Sequence, residues 1–120
     1  DVVSIHLALN QGTRGMFDAA KLALLKPTAF FVNTSRGPIV DEAALIDVLQ
    51  KKHIAGAGLD VFDQEPLPPN HPLTKLPNVV LTPHAGWPTD NAYHGFANFT
   101  ADAILAYMDG REPARFPEDV

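Results

Sequence analysis

The stretch from Ala29 to Leu49 constrains this chain more than any other. Ala29-Phe30-Phe31-Val32 is a short apolar run suited to a strand buried on both faces. It breaks at Asn33-Thr34-Ser35-Arg36-Gly37-Pro38, a polar turn ending in two strong breakers. Asp41 then offers a helix N-cap, and Glu42 falls in the first turn, where the helix dipole favours an anion. Leu45, Val48 and Leu49 share one helical face. Arg36 therefore sits just past the carboxyl end of a strand, which is where ligands bind in open α/β sheets. A guanidinium there suits a carboxylate or a phosphate. The same arginine could equally serve only to tie down its own loop, and this stretch alone does not separate the two readings.

The flanking residues repeat the pattern. Val2 to Leu7 is rich in β-branched residues and reads as a strand. A polar loop over 8–14 leads to a short helix from Asp18 to Leu25, with Lys26 at its cationic end and Pro27 as its stop. The Asp41 helix runs over about 42–52 and ends in Lys51-Lys52-His53, and Ile54 to Val61 is a third strand. Residues 62–77 form a long loop holding five prolines, a length that is usually functional or a linker. Val79-Val80-Leu81 is a fourth strand, closed by Thr82-Pro83-His84-Ala85-Gly86. A last helix spans about 89–108, capped by Thr89 or Asp90 and ended by Gly110. Phe96, Phe99, Ala103 and Tyr107 line one side of it, so it is expected to pack on something. The tail from Arg111 to Val120 has no clear structure. Alternating strands and helices predict an α/β fold with a parallel sheet.

Composition excludes several functions. At 120 residues the chain is one small domain or a piece of a larger one. A formal net charge of −5, without a Lys/Arg cluster, argues against a nucleic-acid partner. The absence of cysteine removes disulfides and thiolate chemistry. No apolar run approaches membrane-spanning length and no signal peptide opens the chain, so a cytoplasmic home is the default expectation. The chain opens without Met on a strand already under way, which reads as a fragment.

Gly56-Ala57-Gly58 begins like a dinucleotide-binding fingerprint, but the third glycine is missing and the run lies inside a strand. These glycines are expected to permit close packing. Three strand ends each deliver a polar group: Arg36 from the second, Asp60 and then Glu65 from the third, His84 from the fourth. In a parallel sheet these ends share one edge. A His beside a carboxylate is equipped as a general acid, and an Arg beside them can hold a carboxylate and polarise a carbonyl. Each residue alone has a blander reading: His84 as a loop hydrogen-bonder, Glu65 as a solvated turn residue, Asp60 as a turn cap. His53 reads as a helix-end cation, His71 as loop surface, His94 as helix face and His6 as a strand residue. Trp87 lines a pocket or covers a helix start. No pair of candidate ligands has zinc-like spacing, so no metal is expected.

Three ordered motifs carry a specific resemblance. Asn33-Thr34-Ser35-Arg36-Gly37-Pro38-Ile39-Val40-Asp41-Glu42, then Ala57-Gly58-Leu59-Asp60-Val61-Phe62 with Glu65-Pro66, then Thr82-Pro83-His84-Ala85-Gly86 closely resemble the D-isomer-specific 2-hydroxyacid dehydrogenases. The resemblance runs from Asp1 to about Arg115. It implies the C-terminal part of a Rossmann-type parallel sheet over residues 1–86, followed over 87–120 by a crossover helix and tail returning towards a substrate domain. It implies that Arg36 binds the substrate carboxylate and carbonyl, that His84 donates a proton to the carbonyl oxygen, and that Glu65 orients His84 and favours its protonated form. Asp60 is implied to contact the nicotinamide carboxamide. Leu7, Thr13, Thr34, Ser35, Arg36, His84 and Gly86 complete the implied contacts to NAD or NADP. The implied substrate is a small 2-hydroxy or 2-oxo acid, and the implied assembly a homodimer through the nucleotide-binding domain.

The chain departs from the family pattern at Ala8, where proline is common, and at Trp87, where small residues are common. The indole beside the proton donor is expected to reshape the substrate pocket. The glycine-rich phosphate loop and the acidic residue that selects NAD over NADP belong upstream of these motifs. Alone, the chain is expected to expose a hydrophobic sheet edge and the apolar side of its last helix, to bind NAD poorly and not to turn over. The same family includes corepressor-like scaffolds that sense NAD(H), which is the alternative to an enzyme.

Overall fold

A computed structural model describes residues 1–113. Its elements are β1 (Val2–Ile5), α1 (Ala19–Leu22), β2 (Phe30–Asn33), α2 (Glu42–Gln50), β3 (Gly56–Leu59), β4 (Val79–Leu81) and α3 (Asp90–Met108). Two short 3₁₀ turns, Gly37–Ile39 and Pro72–Lys75, lie in the connections. The strands form one sheet in the order β1-β2-β3-β4, every neighbouring pair parallel. This is the α/β architecture that the alternating pattern predicts. The sequence pattern placed the third strand over 54–61, and the ladder occupies only its middle. Residues 1–86 form one compact unit, and a second begins at Trp87.

The register puts Val3, Phe31, Ala57 and Val79 in one row, and Ile5, Asn33, Leu59 and Leu81 in another row on the same face. This face is the core. Phe31 and Ile5 are fully buried there and pack with Leu22 of α1 and with Leu45, Val48 and Leu49 of α2. Each such side chain stabilises the fold by about 1.5–3 kcal/mol on burial. The opposite face carries Val2, Ser4, Phe30, Val32 and Val80, with Gly56 and Gly58 between them. Phe30 is 52% exposed and Val80 68% exposed. The expectation of a strand at 29–32 buried on both faces therefore fails. Both short helices contribute to the core of one face, so alternate residues of β2 remain uncovered. Val2 of β1 and Val80 of β4, the two edge strands, are exposed on this face along with Phe30.

The helix ends follow local chemistry. Asp41 caps α2 by accepting the Ala44 N–H at 3.0 Å, and Asp18 caps α1 by accepting the Lys21 N–H at 2.9 Å. The α1 helix ends at Leu22, one turn long, where the spacing predicted a helix to Leu25. β1 ends at Ile5, so His6 lies just past the strand instead of within it. Gly56 meets the expected close packing: a Cβ there would lie 2.5 Å from the Asn78 carbonyl oxygen. Gly58 does not, since its nearest neighbour would be a Val32 methyl at 3.9 Å.

In the second unit, Thr89 caps α3 by accepting the Ala92 N–H at 3.1 Å. Gly110, at φ 69°, lets Arg111 N–H reach the Ala106 carbonyl and close the helix. Trp87 lies tilted against Tyr93 and edge-on to Phe96, at centroid distances of 5.7 and 6.1 Å. Phe99 and Ala103 lie on the less exposed side of α3, whereas Phe96 and Tyr107 are more than half exposed. The part of the predicted tail beyond 113 lies outside the described residues.

Candidate active site

The carboxyl edge of the parallel sheet collects the polar strand ends. Beyond β2, buried Asn33 shapes the turn. Its Oδ1 accepts the Ser35 N–H at 3.0 Å, and its Nδ2 donates to the Arg36 carbonyl at 3.0 Å. Ser35 Oγ donates to the Ile5 carbonyl at 2.8 Å, tying this turn to the end of β1. Arg36 Nη1 donates to the Ser35 carbonyl at 2.6 Å, and the guanidinium makes no ion pair among the described residues. Arg36 and Ser35 line a hollow of about 550 Å³ with His6, Leu7, Ala8 and Leu9. Thr13 steadies the β1 loop by donating its hydroxyl to the Ala8 carbonyl at 2.7 Å. Thr34 is exposed at the same edge.

Beyond β3 and β4, two carboxylates grip one loop. Asp60 is 3% exposed. Its Oδ1 accepts the Thr82 hydroxyl and the Ala85 N–H, the latter at 2.8 Å, while Oδ2 accepts the Gly86 N–H at 2.8 Å. A Cβ on Gly86 would crowd the Asp60 carboxylate at 3.0 Å. Burial acts to raise the Asp60 carboxyl, but the bonds from Thr82, Ala85 and Gly86 and the charge of His84 outweigh it and hold it below the usual range. Between these anchors His84 adopts φ 54°, a left-handed conformation uncommon for a residue with a Cβ.

Glu65 grips the same loop through its side chain. Its Oε2 lies 2.7 Å from His84 Nδ1, and its Oε1 accepts the Phe62 N–H at 2.9 Å. Both side chains of the pair are 35% exposed. Partial burial works to raise the Glu65 carboxyl; the bonds from His84 and Phe62, with the charges of His84 and Arg36, bring it below its usual value. Because Nδ1 faces a carboxylate, the ring carries a proton there and leaves Nε2 for exchange. The pair borders a cleft of about 570 Å³ lined by Phe62, Pro66, Leu67, Leu81, Thr82 and Pro83. Glu65 and His84 are thus in contact, while Arg36 lines the neighbouring hollow and acts on Glu65 through its charge.

Sequence reasoning overlooked two features. Asn33 organises the Arg36 turn, and an Asn at a strand end followed by Ser is a readable signal for such a turn. His71 was expected at the loop surface. Instead its side chain is 18% exposed, and its Nε2 lies 3.1 Å from Glu42 Oε1. No local pattern announces that contact, which spans two elements. Among the described residues, no group of three or more His, Asp or Glu could hold a metal ion.

A parallel α/β sheet with an imidazole–carboxylate pair and an arginine at its carboxyl edge belongs to the class of open α/β folds that bind ligands at that edge. Within that class the match is specific: residues 1–86 fit the D-isomer specific 2-hydroxyacid dehydrogenase, NAD binding domain. The chain belongs to this family. It is 48% identical over 113 residues to a glyoxylate reductase of Thermofilum pendens, covering 94% of this chain and 33% of that protein. The TT0316 protein of Thermus thermophilus has 43% identity and a TM-score of 0.90, with 96% of this chain and 37% of that one covered. A D-isomer specific 2-hydroxyacid dehydrogenase of Xanthobacter autotrophicus, in complex with NADPH and MES, has 42% identity and a TM-score of 0.76, with 92% of this chain and 45% of that one covered. The chain thus spans about a third of the length of the curated relative it matches.

Proposed function

We propose that this chain supplies the proton-transfer and carboxylate-binding half of an NAD(P)-dependent oxidoreductase. Its substrate would be a small D-2-hydroxy acid and the matching 2-oxo acid. One observation carries the reading: the Glu65–His84 contact of 2.7 Å at the sheet edge that also bears Arg36. Family membership and the glyoxylate reductase relative support the substrate class. The nicotinamide cofactor supplies or accepts the hydride. The first residues of the β1 loop fit such a group, because Leu7 offers an apolar surface beside Ser35 and Arg36 in one open hollow. Either NAD or NADP is compatible with the residues here.

In the reduction direction, His84 Nε2 gives its proton to the carbonyl oxygen as negative charge builds there. Glu65 holds the ring through Nδ1 and stabilises the imidazolium before transfer. Arg36 pairs with the substrate carboxylate and draws charge onto the carbonyl oxygen. Both effects are stronger in the transition state than in the ground state, which is what raises the rate. Asp60 serves through the loop it holds, in addition to the carboxamide contact that the family resemblance implies. By the same resemblance, residues 1–86 are the later part of the nucleotide-binding domain, 87–120 lead towards a substrate domain, and the assembly is a cytoplasmic homodimer. No helix among the described residues is long and apolar enough to cross a membrane.

The test is oxidation of reduced nicotinamide by the full-length protein with glyoxylate, hydroxypyruvate and pyruvate. His84→Gln is expected to abolish turnover while cofactor fluorescence still reports binding. Cofactor binding without consumption by the unaltered protein, for every 2-oxo acid tried, would overturn the enzyme reading in favour of a nucleotide-sensing scaffold. Light scattering checks the dimer.

A further inference from the structure

The proline-rich loop that carries Glu65 is not held by Glu65 alone. Glu42, the first residue of α2, turns its carboxylate away from its own helix and onto this loop. Its Oε2 accepts the Asp63 N–H at 3.2 Å, and its Oε1 lies 3.1 Å from His71 Nε2. Both Glu42 and His71 side chains are 18% exposed. His71 Nδ1 accepts the Leu73 N–H at 3.4 Å, which leaves the ring proton on Nε2, aimed at Glu42. One carboxylate therefore clamps the loop at 63 and at 71, on either side of Glu65.

The position of the first clamp matters most. Phe62 and Asp63 present consecutive backbone N–H groups. The first is taken by Glu65 Oε1 and the second by Glu42 Oε2. Gly37 closes the seat from the other side, since a Cβ there would collide with the Phe62 carbonyl and lie 2.7 Å from Asp63 N. The two N–H groups belong to adjacent peptide units that share the Phe62 Cα, so a shift of the backbone at Asp63 is passed to the Phe62 N–H held by Oε1 and, through the Glu65 carboxylate, to the Oε2 contact with His84.

We propose that Glu42 is a positioning residue for the Glu65–His84 pair, acting through the Asp63 amide with His71 as its anchor. The inference rests on the proposed role of that pair, but its primary readout does not require turnover. It extends the site to a residue of α2 that touches neither of the paired side chains.

The test compares Glu42→Gln with Glu42→Ala, reading the Nδ1–H resonance of His84 by nitrogen-edited NMR together with thermal unfolding. Gln keeps an acceptor for the Asp63 N–H but turns its NH2 towards the His71 Nε2–H, so the downfield Nδ1–H signal is expected to persist, weakened no further than in His71→Ala. Ala removes the acceptor, so the signal is expected to broaden or disappear in a protein that is still folded. His71→Ala, which leaves Glu42 in place, is expected to weaken the signal partially. In turnover assays Glu42→Ala should lower kcat about tenfold with little change in KM, and Glu42→Gln should recover most of that loss. Glu42→Ala and Glu42→Gln behaving alike, whether both keep or both lose the signal, overturns the assignment. An unchanged signal in His71→Ala removes His71 from it. If no 2-oxo acid is reduced by the unaltered protein, the enzymatic reading fails while the ring signal still decides the positional one.

Discussion

Asp60 and Glu65 are both carboxylates on the loop after β3, and both hold the loop that carries His84, yet they do so in opposite ways. Asp60 is buried and bonds a hydroxyl and two backbone amides, with no side-chain partner that could exchange a proton in the working range. Glu65 is partly exposed and spends one oxygen on an imidazole. The first arrangement fixes a backbone; the second holds an imidazole beside a cleft. The left-handed conformation at His84 links them, because the bonds from Asp60 on either side of the residue hold the loop that adopts it. Placing the strain-bearing contacts on a buried group frees the exposed one for proton transfer.

The largest expected effect separates the two. Asp60→Ala strips the partner from Thr82, Ala85 and Gly86 and should destabilise the protein by about 2–4 kcal/mol, measured by denaturant unfolding. A loss under about 1 kcal/mol, with cofactor binding gone, would make Asp60 a ligand-binding group instead of a pin. Glu65→Gln keeps an acceptor for the Phe62 N–H but removes the charge facing His84. It should lower kcat about 10- to 100-fold, equivalent to about 1.4–2.7 kcal/mol, while thermal stability stays nearly unchanged. If Glu65→Gln instead unfolds the protein, the contrast between the two carboxylates collapses.

Acid sharpens the same contrast. Both carboxyls lie below their ordinary values in the folded state. A depressed folded value means stability that is fully present above the unfolded value, about 4 for either group, and lost as pH falls through the folded one. Asp60→Asn should therefore flatten the acid limb of the stability curve below about pH 4. Glu65→Gln should flatten it less, because water screens a partly exposed pair. Equal flattening would mean that burial does not distinguish them.

This division was only half legible in the sequence. The order of elements was readable because the period switches between strand and helix, and because Asp18, Asp41 and Thr89 mark helix starts by a local hydrogen bond. Placing Arg36, Asp60, Glu65 and His84 on one edge followed from parallel topology alone. That Asp60 pins the loop after β4 did not follow, since that depends on which amides the loop aims at it. Burial of β2 was misjudged for a related reason: Phe30 and Phe31 look alike in a run, but only the register of the sheet against α1 and α2 tells which is covered. His71 was misread because its partner lies on α2, far away along the chain.

A third carboxylate gives the smallest and most discriminating prediction. Asp63 lies between the other two and bonds Glu42 only through its backbone. Burial and the charge of Glu42 raise its carboxyl, with Asp41 adding and Arg14 and His71 opposing. The sign is reversed from Asp60 and Glu65: the ionised form is disfavoured on folding, so Asp63 lowers stability above its folded value and contributes nothing below its unfolded one. Asp63→Asn should therefore raise the Tm slightly at pH 7, and the gain should vanish as the pH falls below about 4. A loss of stability at neutral pH would mean that the Asp63 carboxylate has a favourable partner outweighing the repulsion from Glu42. The loop's charge pattern would then serve to hold it, and the clamp at its amide would not be acting against a like charge.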